Sequence, residues 1–241
     1  MIRGFLLSLL GALGCICASA QFVSLSDTVS FGLIREADGP VTKRVYVKNV
    51  SDSEASILSV RPTCGCTAAD FLRSPVAPGD SAWIELTYNP ARRPGSFEKA
   101  VKVIPVQGEG FKIPITGTVL ATAETIETMY PIAAGNLHLS ETTIIAPQPL
   151  SYHEKALFFD AYNSGETPLV LRLENSDPAI NHQVIPEILG QGEKALIAVY
   201  VYPLKEERRG PVEYKLLLYP DTADTPAAEP VELTVHATIT D

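Results

Sequence analysis

The sequence predicts an all-β fold, with two tandem immunoglobulin-like β-sandwiches after a cleaved signal peptide. Three observations lead to this prediction. Apolar and polar residues alternate in short runs separated by turn-forming residues, as in half-buried strands. The pattern of the first half recurs in the second half, and the N-terminus has the composition of an export signal. With 241 residues, 46% of them hydrophobic, the chain can form two cores of roughly 100 residues each.

The first element is the export signal, which we place at residues 1–20. It begins with the positive charge of Arg3, continues as an apolar stretch over 5–17 and ends in a small-residue cleavage site. A membrane anchor and a lipoprotein processed at Cys15 are the alternatives, but the apolar stretch is short for a bilayer and the lipoprotein motif is incomplete. We therefore expect an exported protein of the periplasm or cell surface, with no transmembrane segment in its mature chain.

The repeat sets the domain boundaries. Asn49 and Gly79 recur as Asn163 and Gly192 at nearly the same spacing, each pair within a strand–turn–strand pattern. We place the first domain at 22–120 and the second at 136–241. A linker is predicted at 121–135, where the strand periodicity lapses.

A short motif in the first half resembles a known family. Its elements are Thr63-Cys64-Gly65-Cys66-Thr67, then Pro78-Gly79, then a strand, and then Gly95-x-Phe97. Residues 29–119 are thereby similar to the bacterial domain-of-unknown-function family numbered 1573, which is common in exported proteins of Bacteroidota. The resemblance implies an immunoglobulin-like sandwich and no particular activity. The second half keeps the strand pattern but lacks the Cys-Gly-Cys element.

The cysteine pair Cys64 and Cys66 has three possible roles. Cleavage of the signal removes the other two cysteines, and export places this pair in an oxidising compartment. A local disulfide with a redox role is one interpretation, because Gly65 permits the turn such a bridge requires. A soft-metal site for Cu(I) or Zn(II) is the second, although two thiolates fill only half of a zinc site. The third is a purely structural turn element.

Charged and aromatic residues mark possible interfaces. Arg92-Arg93 and Arg208-Arg209 are predicted at equivalent turns of the two halves, where they either bind an acidic partner or are simply solvated. Trp83 falls on the strand face opposite the apolar residues. It either forms an interface or is covered by another part of the protein.

These features favour a binding protein over an enzyme. The sequence contains no recognised nucleophile, metalloprotease, phosphate-loop or dinucleotide motif, and no cofactor is predicted. A net charge of −9 argues against a nucleic-acid partner. We expect a non-enzymatic binding or scaffold protein that recognises another envelope protein through sandwich loops or edges. The alternatives are a thiol-redox or metal-handling protein using Cys64 and Cys66, and a periplasmic chaperone-like protein. The sequence does not predict the partner's identity or the oligomeric state.

Overall fold

The structure, a computed structural model, describes residues 21–227 and 229–241. The predicted signal peptide at 1–20 lies outside the described residues. The described part of the chain is built from β-strands in four sheets, together with one α-helix and two single 3-10 turns. The prediction of an all-β sandwich protein is confirmed.

The first sandwich has two four-stranded sheets. Its strands are β1 (Phe22–Ser24), β2 (Val29–Arg35), β3 (Val41–Asn49), β4 (Ile57–Pro62), β5 (Thr67–Phe71), β6 (Ser81–Tyr88), β7 (Gly95–Pro105) and β8 (Phe111–Leu120). One sheet has the order β1-β3-β6-β5 and the other β2-β8-β7-β4. All neighbours are antiparallel except β2 and β8, which run parallel.

The second sandwich follows a short helix, α1 (Ala123–Met129). Its strands are β9 (Ile132–Ala134), β10 (Leu137–Leu139), β11 (Thr143–Ile145), β12 (Lys155–Asn163), β13 (Leu169–Glu174), β14 (Ile180–Ile185), β15 (Ile188–Leu189), β16 (Lys194–Val201), β17 (Gly210–Thr222) and β18 (Val231–Ile239). The sheets have the orders β14-β16-β12-β10-β9 and β11-β18-β17-β13-β15.

The two sandwiches share one topology. If β9 and β15 are set aside, β10-β12-β16-β14 corresponds to β1-β3-β6-β5, and β11-β18-β17-β13 corresponds to β2-β8-β7-β4. The unusual parallel pair recurs as β11 and β18. The repeat that the sequence indicates is therefore a duplicated sandwich.

The recurring asparagine and glycine are joined by hydrogen bonds in each copy. The Gly79 amide donates to the Asn49 carbonyl at 2.9 Å, and the Gly192 amide donates to the Asn163 carbonyl at 2.9 Å. Both asparagine side chains are fully buried, and both amide groups donate to two backbone carbonyls. Each asparagine thus links the turn that follows its own strand to the turn that precedes β6 or β16. This link explains why the spacing between asparagine and glycine recurs in the two halves.

Each sandwich has its own core, formed by the inward faces of both its sheets. In β6 the alternating residues Ala82, Ile84 and Leu86 have no exposed surface, as the two-residue period predicts. Leu216 and Leu218 of β17 are equally buried in the second core. The outward positions of β6 carry its polar residues and Trp83.

The segment predicted as a linker, 121–135, contains ordered structure. Thr122 caps α1, because its hydroxyl accepts a hydrogen bond from the Thr125 amide at 3.2 Å. Strand β9 lies within the same segment and pairs with β10, so it belongs to a sheet of the second sandwich. The strand periodicity lapses here because the chain forms a helix and only a three-residue strand. Within the described residues, no helix is long and apolar enough to span a membrane.

Candidate functional site

The cysteines form a disulfide at the corner between β4 and β5. The Cys64 and Cys66 Cα atoms are 5.3 Å apart, with only Gly65 between them. Gly65 is exposed and has open space around it. The Thr63 amide donates to the Ala100 carbonyl at 3.0 Å, which fixes the start of the corner. Of the three interpretations of the pair, the metal site would require prior reduction of this bridge.

The two sulfur atoms have different environments. Cys66 is 6% exposed and belongs to the core of the first sandwich. Cys64 is half-buried and lies at the edge of that core. The Thr67 hydroxyl lies 3.7 Å from the Cys64 Sγ and 3.8 Å from the Cys66 Sγ. The bridge therefore has one accessible end and one buried end.

Both cysteines line a cleft of about 470 Å³ where the first sandwich meets the second, and Cys64 is the more exposed of the two. One wall is the disulfide corner, and the other is the turn between β6 and β7 with the start of β7. Met129 of α1 contributes an apolar side chain, and Lys194 of β16 reaches across from the second sandwich. A Cβ on Gly95 would lie only 2.4 Å from the Lys194 Cε, so the glycine leaves the space that this lysine occupies.

Four exposed cations line this cleft: Arg92, Arg93, Lys99 and Lys194. Within the described residues none of the four makes an ion pair. One carboxylate, that of Glu98, lines the same cleft. The cleft is thus a locally positive surface on a protein whose net charge is −9.

The shape of the arginine turn is fixed by Glu36. Arg92 has a left-handed backbone with φ +54°, and its amide donates to the Glu36 Oε1 at 2.6 Å. The same carboxylate accepts the Thr122 amide at 2.9 Å and the Thr125 hydroxyl at 2.8 Å. Burial alone would raise the pKa of Glu36, but these hydrogen bonds outweigh burial and lower it. One carboxylate therefore connects the arginine turn to the start of α1.

The junction between the sandwiches continues beyond α1. The Ala121 amide donates to the Tyr162 hydroxyl at 2.9 Å, and the Tyr162 ring stacks on Tyr130 with centroids 5.4 Å apart. Burial raises the pKa of Tyr130 to about 12. Leu120 packs against Gly192, where a Cβ would lie 2.5 Å from its Cδ2. These contacts hold the Lys194 side of the cleft against the disulfide side.

The corresponding turn of the second sandwich is closed internally. In both copies the turn is closed by the same hydrogen bond, from the Arg93 amide to the Pro90 carbonyl and from the Glu206 amide to the Pro203 carbonyl. A carboxylate therefore occupies the position of Arg93 in the second copy. Arg208 and Arg209 lie further along this longer turn, so they lie in the equivalent turn but not at equivalent positions.

Both of these arginines are engaged within the protein. The Arg208 guanidinium donates to both oxygens of Glu206, at 2.8 and 2.6 Å, and to Asp177 at 2.6 Å. These hydrogen bonds lower the pKa of Glu206 to about 2. Arg209 pairs with Asp241 at 3.1 Å. Asp177 lies in the corner between β13 and β14, which corresponds to the disulfide corner of the first copy.

Trp83 lies apart from the cleft. It is half-buried on the outer face of β6, opposite Tyr46 of β3, and the Arg44 guanidinium lies 5.2 Å from its ring centroid. A cation over the ring covers part of the indole, as in other arginine–tryptophan pairs. The predicted site residues therefore divide into three groups: the cleft, the internal network of the second sandwich, and this outer face.

Sequence reasoning missed Lys99, Lys194, Met129 and Glu36. Lys99 and Lys194 look like ordinary outward strand positions, and nothing in the local sequence relates them to Cys64. Lys194 joins Lys99 at the cleft because the second sandwich packs against the first. No cluster of three or more metal-ligating side chains occurs among the residues that the structure describes.

Comparison with known proteins finds a family match within the first half of the chain. Residues 22–119 match the model of a family described as "Protein of unknown function (DUF1573)", which confirms the predicted resemblance. No curated protein matches the sequence.

Among solved structures, a protein of unknown function from Porphyromonas gingivalis W83 is 14% identical, with a TM-score of 0.39 over 91% of this chain and 100% of that one. The CupB2 chaperone of Pseudomonas aeruginosa is 8% identical, with a TM-score of 0.33 over 90% of this chain and 100% of that one. A PapD-like domain of human CEP192 is 9% identical, with a TM-score of 0.37 over 46% of this chain and 92% of that one. Similarity at this level carries no information about function.

Proposed function

We propose that the protein is an exported, non-enzymatic binding or scaffold protein of the bacterial cell envelope. Its partner is an envelope protein with an acidic segment, which the cationic cleft beside Cys64 and Cys66 recognises. Two sandwich loops, the disulfide corner and the arginine turn, form part of the cleft, and loops often carry binding residues on a rigid scaffold.

One observation carries this proposal, the contrast between the two copies of the same turn. In the second sandwich, the carboxylates of Glu206 and Asp177 hold Arg208 internally. In the first sandwich the equivalent corner is an uncharged disulfide, and the described residues supply no ion pair to Arg92 or Arg93. A partner's carboxylates would complete in the first copy the pairing that the second copy makes for itself.

The chemistry of the cleft suits carboxylates on a peptide. A guanidinium binds a carboxylate through two parallel hydrogen bonds, and such charge-assisted bonds are stronger than neutral ones. The cleft volume of about 470 Å³ is within the range of specific ligand sites. Met129 adds an apolar contact beside the charges, since 39% of its surface is exposed. These groups favour a short acidic segment that also carries an apolar side chain.

The test is binding of a fluorescent acidic peptide to purified protein. We expect Arg92→Ser/Arg93→Ser to weaken binding by at least about tenfold, because each charge-assisted hydrogen bond contributes on the order of 1.5–3 kcal/mol. The control is Arg44→Ser/Arg61→Ser, which removes the same charge from exposed positions outside the cleft. Added salt should weaken binding to the wild type more than to the cleft variant.

The control also tests the outer face. If the partner bound at Trp83, the Arg44 substitution would weaken binding and the cleft substitution would not. Equal affinity of the wild type and the cleft variant for the acidic peptide would refute the proposal.

A further inference from the structure

We infer that the Cys64–Cys66 bridge is a thiol–disulfide exchange site that oxidises a pair of thiols on the bound segment. This activity goes beyond binding, and the preference for an acidic segment rests on the proposed function. It is a single exchange per protein molecule and needs no further catalytic group. Four independent features of the corner lead to it.

The first feature is that the bridge is not a framework element. It encloses only Gly65, and a loop this short removes little entropy from the unfolded chain. The corner is held without it, because Thr63 exchanges hydrogen bonds with Ala100 and the Asn89 amide donates to the Cys66 carbonyl at 2.8 Å. The backbone therefore keeps the two sulfur atoms adjacent in the oxidised and in the reduced state.

The second feature is the difference in exposure between the two sulfur atoms. An incoming thiolate reaches the bridge from the cleft, which Cys64 lines with its half-buried side chain. Cys66 also lines the cleft, but it is 6% exposed and lies against the core, so it is less accessible to direct attack than Cys64. Exchange through a mixed disulfide requires one attacked sulfur and one leaving sulfur, and this corner supplies one of each.

The third feature is the positive charge of the cleft. Arg92, Arg93 and the two lysines favour thiolates over neutral thiols, both on the incoming segment and on the sulfur that leaves. The fourth is the Thr67 hydroxyl, which lies within 3.8 Å of both sulfur atoms and is close enough to donate a hydrogen bond to a leaving thiolate. The site that attracts an acidic segment thus also promotes the exchange.

The reaction proceeds in two balanced steps. A thiolate of the segment attacks the Cys64 Sγ, forming a segment–Cys64 disulfide while the Cys64–Cys66 bond breaks and Cys66 leaves as a thiolate. A second thiolate of the segment attacks the segment's sulfur in this mixed disulfide, and Cys64 leaves. The segment loses two electrons and becomes a disulfide. Cys64 and Cys66 gain those electrons and take up the two protons that the segment's thiols released.

The experiment uses purified protein and three synthetic peptides. The first is acidic with two cysteines, the second carries lysines in place of the acidic residues, and the third is acidic with serines in place of the cysteines. The exchange rate is followed by the mass of the alkylated protein. We expect the acidic dithiol to reduce the bridge about tenfold faster than the basic one, from electrostatic attraction alone. Arg92→Ser/Arg93→Ser should abolish this preference, and Arg44→Ser/Arg61→Ser should keep it.

Two further variants test the direction of attack. Cys66→Ser leaves the Cys64 thiol facing the cleft. It should form a stable mixed disulfide with an acidic peptide whose single cysteine is activated as a disulfide with a small aromatic thiol, because the aromatic thiol leaves and the peptide has no second thiol to release Cys64. Cys64→Ser leaves only the buried Cys66 thiol, which should react at least about tenfold more slowly. Similar rates for the two variants would overturn the assignment of Cys64 as the attacked sulfur.

The outcomes separate this inference from the proposed function. If the serine peptide binds but excess acidic dithiol leaves the bridge oxidised, the exchange activity is refuted and the binding function stands. A different result is that the acidic serine peptide does not bind and the acidic and basic dithiols reduce the bridge at equal rates. The proposed recognition of an acidic segment and the preference for an acidic dithiol would then both be refuted.

Discussion

Substitution of Asn49 by alanine tests whether the buried asparagine that recurs in both sandwiches stabilises each sandwich by connecting two of its turns. The Asn49 side chain is fully buried, and its Nδ2 donates to the Ser53 carbonyl at 2.8 Å and to the Val76 carbonyl at 2.9 Å. Its Oδ1 accepts the Ser51 amide at 3.0 Å and the Ser51 hydroxyl at 2.7 Å. Alanine removes all four hydrogen bonds and puts nothing polar in their place.

The expected loss in the free energy of unfolding follows from these contacts. Each buried hydrogen bond contributes a net of about 1 kcal/mol, and groups left without a partner cost more. The Val76 carbonyl still accepts the Ala55 amide, and the Ser53 carbonyl still accepts the Ser51 hydroxyl. The loss in free energy is therefore smaller than the cost of leaving four buried polar groups without any partner. We expect Asn49→Ala to lower the stability of the first sandwich by about 2–4 kcal/mol.

The sole tryptophan makes the assay specific for one sandwich. Trp83 lies in β6, so its fluorescence during urea unfolding follows the first sandwich, whereas circular dichroism follows both. With a urea dependence of about 2 kcal/mol per molar, the fluorescence midpoint should fall by about 1–2 M. Asn163→Ala should lower the circular dichroism transition of the second sandwich by a similar amount.

The control is Asn89→Ala, because Asn89 is an exposed residue of the same sandwich and its side chain accepts only the nearby Ala91 amide. If Asn49→Ala shifted the fluorescence midpoint no more than this control does, the asparagine would not be the element that ties the two turns together.

Two further predictions concern the junction and the second sandwich. Gly192→Ala should lower the thermal midpoint more than Gly79→Ala at the matching position. Both glycines have positive φ, but only a Cβ at Gly192 would meet Leu120. Equal shifts of the two midpoints, measured by calorimetry, would exclude the Leu120 contact as the cause. Glu206 has its pKa lowered to about 2 from 4.5, mainly through Arg208, so its stabilising effect is complete above pH 4.5 and disappears as the pH falls towards 2. Glu206→Gln should therefore be less stable at pH 7 and lose less stability on acidification, and unchanged acid unfolding curves would contradict this role.

The sequence predicted the fold well where the evidence is local. The alternation in β6 gave the buried face of the strand, and the recurring Asn49 and Gly79 gave the register of the duplication, because each feature is set by neighbouring residues and turns. Helix α1 was not predicted, since seven residues between two sandwiches are too few for a clear helical period. Strand β9 is likewise too short to show an alternating pattern.

The candidate site was predicted only in part. Cys64, Cys66, Arg92 and Arg93 were each identified, but as separate features of a corner and a turn. Nothing in the sequence showed that they face one cleft, or that Arg208 has internal partners. Both facts depend on which side chains lie opposite one another after folding.

The sequence by itself determined the two-residue periodicity, the duplication and the chemistry that each residue offers. Those properties follow from side-chain polarity and backbone preferences over a few residues, which a linear reading can detect. Only the tertiary structure decided that Lys194 of the second sandwich completes a cleft in the first. It also decided that, among the described residues, Arg208 and Arg209 have carboxylate partners whereas Arg92 and Arg93 have none. Charge pairing and access to a sulfur atom depend on distances between residues far apart in the chain, and packing of the two sandwiches sets those distances.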